Sequence, residues 1–228
     1  MTSQGLSLEG PAFDDLAAAY DAVFTSSALG RSLRALTWER LDTALASSRR
    51  VLEIGCGTGE DARHLALRGV DVLATDPSPS MLRVAIEKAA KAGCAKRIEF
   101  RCVPMERLGA ELAGERFDGV WSNFGAINCV PQLDAVVAEL AALLEPGAPL
   151  AWVVMGKHVP WEWAWFLSRG NPRKAFRRQQ RGGAVWRGLR IAYPTPAKLT
   201  RTLAPYFAPT RCRPVGFVLP AAYASGRL

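Results

Sequence analysis

The feature that most restricts this chain is the string Val51-Leu52-Glu53-Ile54-Gly55-Cys56-Gly57-Thr58-Gly59. An apolar run ends in three glycines at alternate positions. Glu60–Arg68 follows with Ala62, Leu65 and Ala66 at helical spacing. Such glycines permit a tight turn with positive φ and let a ligand approach the backbone closely. The next helix presents its unpaired N–H groups at the same place. Two common nucleotide loops are excluded. A dinucleotide fingerprint requires Gly where Glu60 stands, and a phosphate-binding Walker loop requires a Lys before Ser or Thr.

The neighbouring segments alternate in character. Strand-like runs fall at Val51–Gly55, Val70–Thr75, Ile98–Val103, Phe117–Ser122 and Pro149–Met155. Helical runs fall at Glu60–Arg68, Ser80–Ala92 and Pro131–Leu144. Strands alternating with helices imply βαβ crossovers and an α/β fold, a doubly wound and mostly parallel sheet with helices on both faces. In such sheets ligands bind at the carboxyl ends of the strands. Asp76 ends the second run, where a carboxylate can accept hydrogen bonds from both hydroxyls of a ribose.

The flanks complete a single domain over 1–228. Residues 1–48 form a helical N-terminal cap, with Tyr20, Phe24, Leu33, Leu36, Trp38 and Leu41 as anchors. Residues 49–155 form the ligand-binding core, and 156–194 a lid or insertion without strand alternation. Residues 195–228 hold a helix over Thr195–Phe207 and a sixth strand over Arg213–Leu219.

Charge divides the chain. Residues 1–155 hold 15 Lys/Arg against 20 Asp/Glu, whereas 156–214 hold 13 Lys/Arg against Glu162 alone. The segment 156–194 also holds four of the seven Trp: Trp161, Trp163, Trp165 and Trp186. Aromatic rings beside cations suit a peripheral membrane contact through 160–181, or an amphiphilic and anionic acceptor. They also suit RNA, through stacking and phosphate contacts, though no separate RNA-binding module is recognisable. The bland alternative is a lid helix with packed Trp and a solvated basic face. No apolar run approaches the ~20 residues of a membrane span. The N-terminal acids Glu9, Asp14 and Asp15 do not suit a secretory signal. Cys56, Cys94, Cys102, Cys129 and Cys212 show no paired spacing, which argues against a metal site and for a reducing cytoplasm.

The strings V-L-E-I-G-C-G-T-G at 51–59, L-A-T-D at 73–76, S-P-S-M-L at 78–82, F-D-G-V-W-S-N at 117–123 and L-L-E-P-G at 143–147 lie in one order. Together they resemble the class I (Rossmann-like) S-adenosylmethionine-dependent methyltransferases, over roughly residues 51–155. The resemblance implies S-adenosyl-L-methionine as cofactor. Glu53 and the loop Gly55, Cys56, Gly57 and Gly59 would surround its methionine part. Asp76, with Pro77 beside it, would hold the ribose, and Met81 would pack near the adenine. The family's usual acid after the third strand is missing, so Met105 and Glu106 would serve there. Asn123 and Phe124 would line the gap between sulfonium and acceptor. Few residues follow Leu219, so the family's antiparallel seventh strand has little chain to form it.

Three residues are catalytic candidates, each with a structural alternative. Tyr20, in a Tyr20-Asp21 pair like those covering the cofactor in similar enzymes, either does so or is ordinary core. Asn123 either orients a nucleophile or caps the turn at Asn123-Phe124-Gly125. His158 either acts as a base or decorates a loop. His64 reads as a packed or surface helix residue. The chemistry implied is methyl transfer to a small or amphiphilic acceptor. The rivals are an RNA methyltransferase and a non-catalytic, cofactor-binding scaffold subunit.

Overall fold

The computed structural model describes residues 11–180 and 182–215. Its centre is a five-stranded sheet in the order β3-β2-β1-β4-β5, every pairing parallel. The strands are β1 Arg50–Ile54, β2 Asp71–Asp76, β3 Ile98–Cys102, β4 Gly119–Ser122 and β5 Leu150–Trp152. The helices α4 Glu60–Leu67, α5 Pro79–Lys91, α6 Leu108–Glu111 and α7 Leu133–Leu143 connect them. The chain runs outward from β1 to β3 and then returns to β1's other side at β4. That reversal opens a crevice at the carboxyl ends of β1 and β4, where the glycine loop begins.

Two apolar layers enclose the sheet, and β1 feeds both. Leu52 and Ile54 enter the layer of Leu108, Leu112, Val120, Ile127, Val136 and Leu140. Val51 enters the opposite layer with Leu41, Leu65, Val72, Leu82 and Trp121. Side chains alternate along a strand, so Glu53 shares Val51's face. A carboxylate is thus carried into the interior. Helix α5 starts as its sequence dictates: the Ser78 hydroxyl accepts from the Met81 N–H, and Pro79 takes the first helical position.

The N-terminal segment is helical, as read. It comprises α1 Pro11–Asp14, α2 Ala17–Tyr20, a π-helical turn over Asp21–Thr25 and α3 Ala28–Ala44. Leu36, expected as an anchor, is exposed, and Arg34 and Thr37 are buried in its place because they serve the polar contacts of Asp61 and Asn123. The segment after β5 holds α8 Pro160–Leu167 and α9 Pro172–Ala175, and then departs from expectation. It contains a hairpin, β6 Ala184–Trp186 and β7 Leu189–Ile191. The turn is Arg187-Gly188 with φ of 48° and 84°, the mirror-image turn that matches strand twist. Three-residue strands are too short for alternation to show.

After α10 Pro196–Leu203, residues 213–215 carry no strand, and the rest of the expected sixth strand lies outside the described residues. No helix among the described residues is long and apolar enough to cross a membrane.

Asn128 ties the insertion to the core. Its side chain is fully buried. Its Nδ2 donates to the Met155 carbonyl (2.9 Å) and the Ala192 carbonyl (2.5 Å), and its Oδ1 accepts from the Met155 N–H (2.8 Å). The Ala192 N–H donates to the Asn128 carbonyl at 2.7 Å. Asn128→Ala removes the partner of three half-buried backbone groups. Denaturant unfolding should show a loss of at least ~2 kcal/mol. A loss below ~0.5 kcal/mol would place the tie elsewhere.

Candidate active site

The glycine loop turns sharply because three positions adopt positive φ: Gly55 at 68°, Gly57 at 53° and Gly59 at 73°. The three are not equivalent. A Cβ on Gly55 would lie 2.3 Å from the Ala126 Cβ, and one on Gly59 would lie 2.8 Å from the Ala85 Cβ. Those two glycines are needed for packing. A Cβ on Gly57 would meet nothing within 4 Å, so the loop faces open space at its middle.

Asp76 stands beside that space. Its Oδ2 accepts from the Gly57 N–H at 2.8 Å and its Oδ1 from the Ser78 N–H at 2.9 Å. Burial pushes its carboxyl up to about 6, although both backbone bonds favour ionisation. Glu53 is more extreme. It is buried, and its Oε2 has no hydrogen-bond partner. Burial, reinforced by the charge of Asp61, holds its carboxyl well above the usual range. An orphaned buried acceptor and an open loop fit a ligand with a cationic amine at one end and ribose hydroxyls at the other.

The cap closes over this loop through three acidic contacts. Asp14 accepts from the Ser78 hydroxyl and, at 3.4 Å, from the Ser80 N–H. Asp21 accepts from Thr58 Oγ1 at 2.7 Å and pairs with Lys88 at 2.6 Å, and Lys88 reaches Glu60 at 2.5 Å. Burial works against ionised Asp21, but its bonds from Lys88 and Thr58 win and hold it below its ordinary value. Asp61 is the third contact. It takes Arg34 Nη1 and Trp38 Nε1 at 2.7 Å each, Asn123 Nδ2 at 2.8 Å and Trp121 Nε1 at 3.3 Å.

Above the loop an aromatic row runs from Tyr20 to Phe24 (5.8 Å) and from Phe24 to Phe124 (5.0 Å), with Arg34 4.8 Å from the Phe124 ring. Phe124 has a positive φ of 47°, a strained conformation of the kind that clusters at functional sites. Burial raises the Tyr20 phenol; Arg34 opposes the shift, and Asp61, Asp76 and Asp21 add to it. Tyr20 is therefore a protonated donor at neutral pH. On the far side of the cap, Phe13 meets Trp186 of the hairpin at 5.2 Å.

The structure sorts the residues expected from sequence. Glu53, Gly55, Cys56, Gly57, Gly59, Asp76 and Pro77 converge on the loop. Met81 is buried on α5, and Met105 is buried with its Cε 3.1 Å from where a Gly55 Cβ would lie. Glu106 is exposed. Asn123 is engaged by the protein itself: Nδ2 donates to Asp61 and to Thr37 (3.3 Å), and Oδ1 accepts from the Phe124 N–H (2.9 Å). Of its two readings, the structural one matches this geometry. His158 is exposed and meets the Trp163 ring edge at 6.0 Å, within the insertion. His64 stacks on Trp38 at 4.1 Å and meets Asp42, a packed helix residue.

Two of the basic residues expected on the insertion are drawn inward. Arg177 and Arg178 each lie 2.8 Å from buried Glu162 and hold the insertion together. Sequence reading missed Asp61, Arg34 and Asn128. An acid in a helix's first turn is ordinary, so nothing marked Asp61 out.

Residues 51–147 match a family described as a methyltransferase domain. Over 104 residues the chain is 36% identical to a ubiquinone biosynthesis O-methyltransferase of Chromobacterium violaceum, covering 46% of this chain and 43% of that one. It is 32% identical over 151 residues to a demethylmenaquinone methyltransferase of Thermobifida fusca, covering 65% and 61%. The chain thus spans about half the length of the curated relatives it matches. A solved DhpI-SAM-HEP complex shares the fold at TM-score 0.61, with 23% identity over 90% of each chain. So does a cyclase, SpnF, at TM-score 0.63 and 19% identity, covering 85% of this chain and 68% of that one. Loop, sheet order and domain match agree over residues 51–147: this region matches a methyltransferase domain and is similar to the class I S-adenosylmethionine-dependent methyltransferases. The cofactor of that family is S-adenosylmethionine.

Two predictions follow from this geometry. Gly57→Ala should cost the empty protein only about 1–2 kcal/mol for its positive φ, yet weaken S-adenosylhomocysteine by more than about tenfold, since the new methyl group fills the ligand's space. Unchanged affinity would place the ligand elsewhere. The second concerns Asp76. Its raised value means that its contribution to stability is present below the ordinary carboxylate range and is lost as pH rises through about 6. Holding ribose requires the ionised form, so binding should run the other way. Calorimetry should show S-adenosylhomocysteine weakening from about pH 7 to about pH 5, with the dependence flattened in Asp76→Asn. Identical pH profiles would remove Asp76 from the site.

Proposed function

We propose that the chain transfers a methyl group from S-adenosylmethionine to a small or amphiphilic acceptor. The reading is carried by the conjunction of orphaned Glu53, open Gly57 and Asp76 within one crevice. The bound cofactor supplies a methyl group already activated by its sulfonium. Glu53 holds the amine of its methionine part, Asp76 the ribose hydroxyls, and Met81 and Met105 give the adenine an apolar seat. Tyr20, Phe24 and Phe124 wall the crevice against water, so the protein's contribution is alignment and a dry path for transfer.

The groups at this crevice offer little base catalysis. Asn123 is engaged with Asp61, Tyr20 keeps its proton, and His158 lies out in the insertion. The acceptor must therefore bring a nucleophile available near neutral pH: a neutral amine, a stabilised carbanion or an acidic hydroxyl. Relatives named for ubiquinone biosynthesis O-methylation and for demethylmenaquinone support a small-molecule acceptor. An RNA acceptor loses support because Glu162 occupies Arg177 and Arg178.

The test is incubation with isotopically labelled S-adenosylmethionine and a cell metabolite and lipid extract, read by mass spectrometry. A labelled small-molecule product should form, and Asp76→Ala should weaken cofactor binding by roughly 10–100-fold, as expected for loss of charge-assisted bonds of ~1.5–3 kcal/mol. Binding of NAD in place of S-adenosylmethionine, or label only in RNA, would overturn the proposal.

A further inference from the structure

Helix α8, Pro-Trp-Glu-Trp-Ala-Trp-Phe-Leu, is inside out. A surface helix normally buries its apolar stripe and exposes its charge. Here Glu162 is 1% exposed while Trp161 is 49% and Leu167 47% exposed, and Ala164 and Ser168 are exposed with them. Phe176, just after α9, adds a third large apolar residue at 45%. The Glu162 carboxylate points its two oxygens at Arg177 and Arg178, 2.8 Å from each. A buried ion pair of this kind rarely outperforms an apolar replacement in stability, because both partners lose their water. Stability alone therefore does not explain the inversion.

The inversion does have an effect on the outer face. Glu162 is the only acid between residues 156 and 194, and it is turned inward. What faces outward is apolar and cationic. Arg169 lies 3.4 Å from the Trp165 ring centre, Lys174 lies 5.4 Å from the Phe166 ring, and Arg173 is exposed beside them. Rings with cations laid against their faces match the boundary between lipid headgroups and acyl chains, where aromatic side chains settle and bases meet anionic phosphates.

We propose that the outer face of α8 and α9, formed by Trp161, Leu167 and Phe176 with Arg169, Arg173 and Lys174, docks the protein on an anionic phospholipid surface. The occupant is argued from charge. Nine Lys/Arg stand in residues 156–194, and the one acid that would repel a negative surface is neutralised inside. A nucleic acid would leave aliphatic Leu167 with nothing to stack on. This inference does not depend on the methyl-transfer reading.

The experiment uses the full chain and sucrose-loaded vesicles, either pure phosphatidylcholine or phosphatidylcholine mixed with phosphatidylglycerol. Sedimentation should show partition into the mixed vesicles at least about tenfold stronger than into the neutral ones, falling as salt rises. Trp161→Ser/Leu167→Ser/Phe176→Ser should lose most of that partition. Arg173→Glu/Lys174→Glu should lose its dependence on phosphatidylglycerol. Brominated acyl chains should quench Trp fluorescence in the parent, and less so in Trp161→Phe. Both multiple variants should keep S-adenosylhomocysteine affinity by calorimetry, which separates failure here from failure at the cofactor site. Equal partition into both vesicle types, or full partition by the triple variant, overturns the proposal. So does a dimer in sedimentation velocity that the triple variant dissolves, which would assign the face to a second copy. Tight binding of an RNA oligomer that Arg173→Glu/Lys174→Glu abolishes, without vesicle binding, would assign it to nucleic acid.

Discussion

The arrangement rests on one buried carboxylate. Asp61 receives four side-chain donors: Arg34 and Trp38 from α3, and Trp121 and Asn123 from the end of β4. An ionised carboxylate in an interior is costly unless a charge and several hydrogen bonds compensate it, and Arg34 supplies the charge. Because Asp61 sits one residue after the start of α4, the same bonds fix the glycine loop relative to the cap. Arg34 then lies against the Phe124 ring, so the network also sets one wall of the crevice.

Three buried carboxylates in this region differ in how fully they are satisfied, and that difference separates their roles. Asp61 is saturated by protein donors and acts as a structural joint. Asp76 has two backbone N–H partners and lone pairs left over, which suits two hydroxyls without further rearrangement. Glu53 has a bare, buried Oε2, which suits a cation. Burial, with the charge of Asp61 beside it, raises the Glu53 carboxyl, and a cationic ligand group there would favour its ionised form.

The sequence exposed whatever depends on local chemistry. Alternate glycines and the acid closing β2 are each determined within a few residues, and the structure places them as read; the helix read over Ser80–Ala92 runs Pro79–Lys91, one residue earlier at each end. Long-range partners were hidden. Asp61 and Asn123 lie 62 positions apart, and Asn128 and Ala192 lie 64 apart. No pattern of hydrophobicity records which of several polar residues will face another. The burial of Glu162 was hidden in the same way. A lone acid in a Trp-rich helix carries no local mark of burial, yet the ion pairs with Arg177 and Arg178 draw it inward. The β6–β7 hairpin escaped notice because it is only three residues deep on each side.

The most direct measurement is a crystal structure of the protein with S-adenosylhomocysteine. The account places the ribose hydroxyls on Asp76, the amine against Glu53 Oε2 and the methionine chain over Gly57, with the Asp61 network unchanged. A ligand bound away from the glycine loop, or one that leaves Glu53 unpartnered, would contradict it.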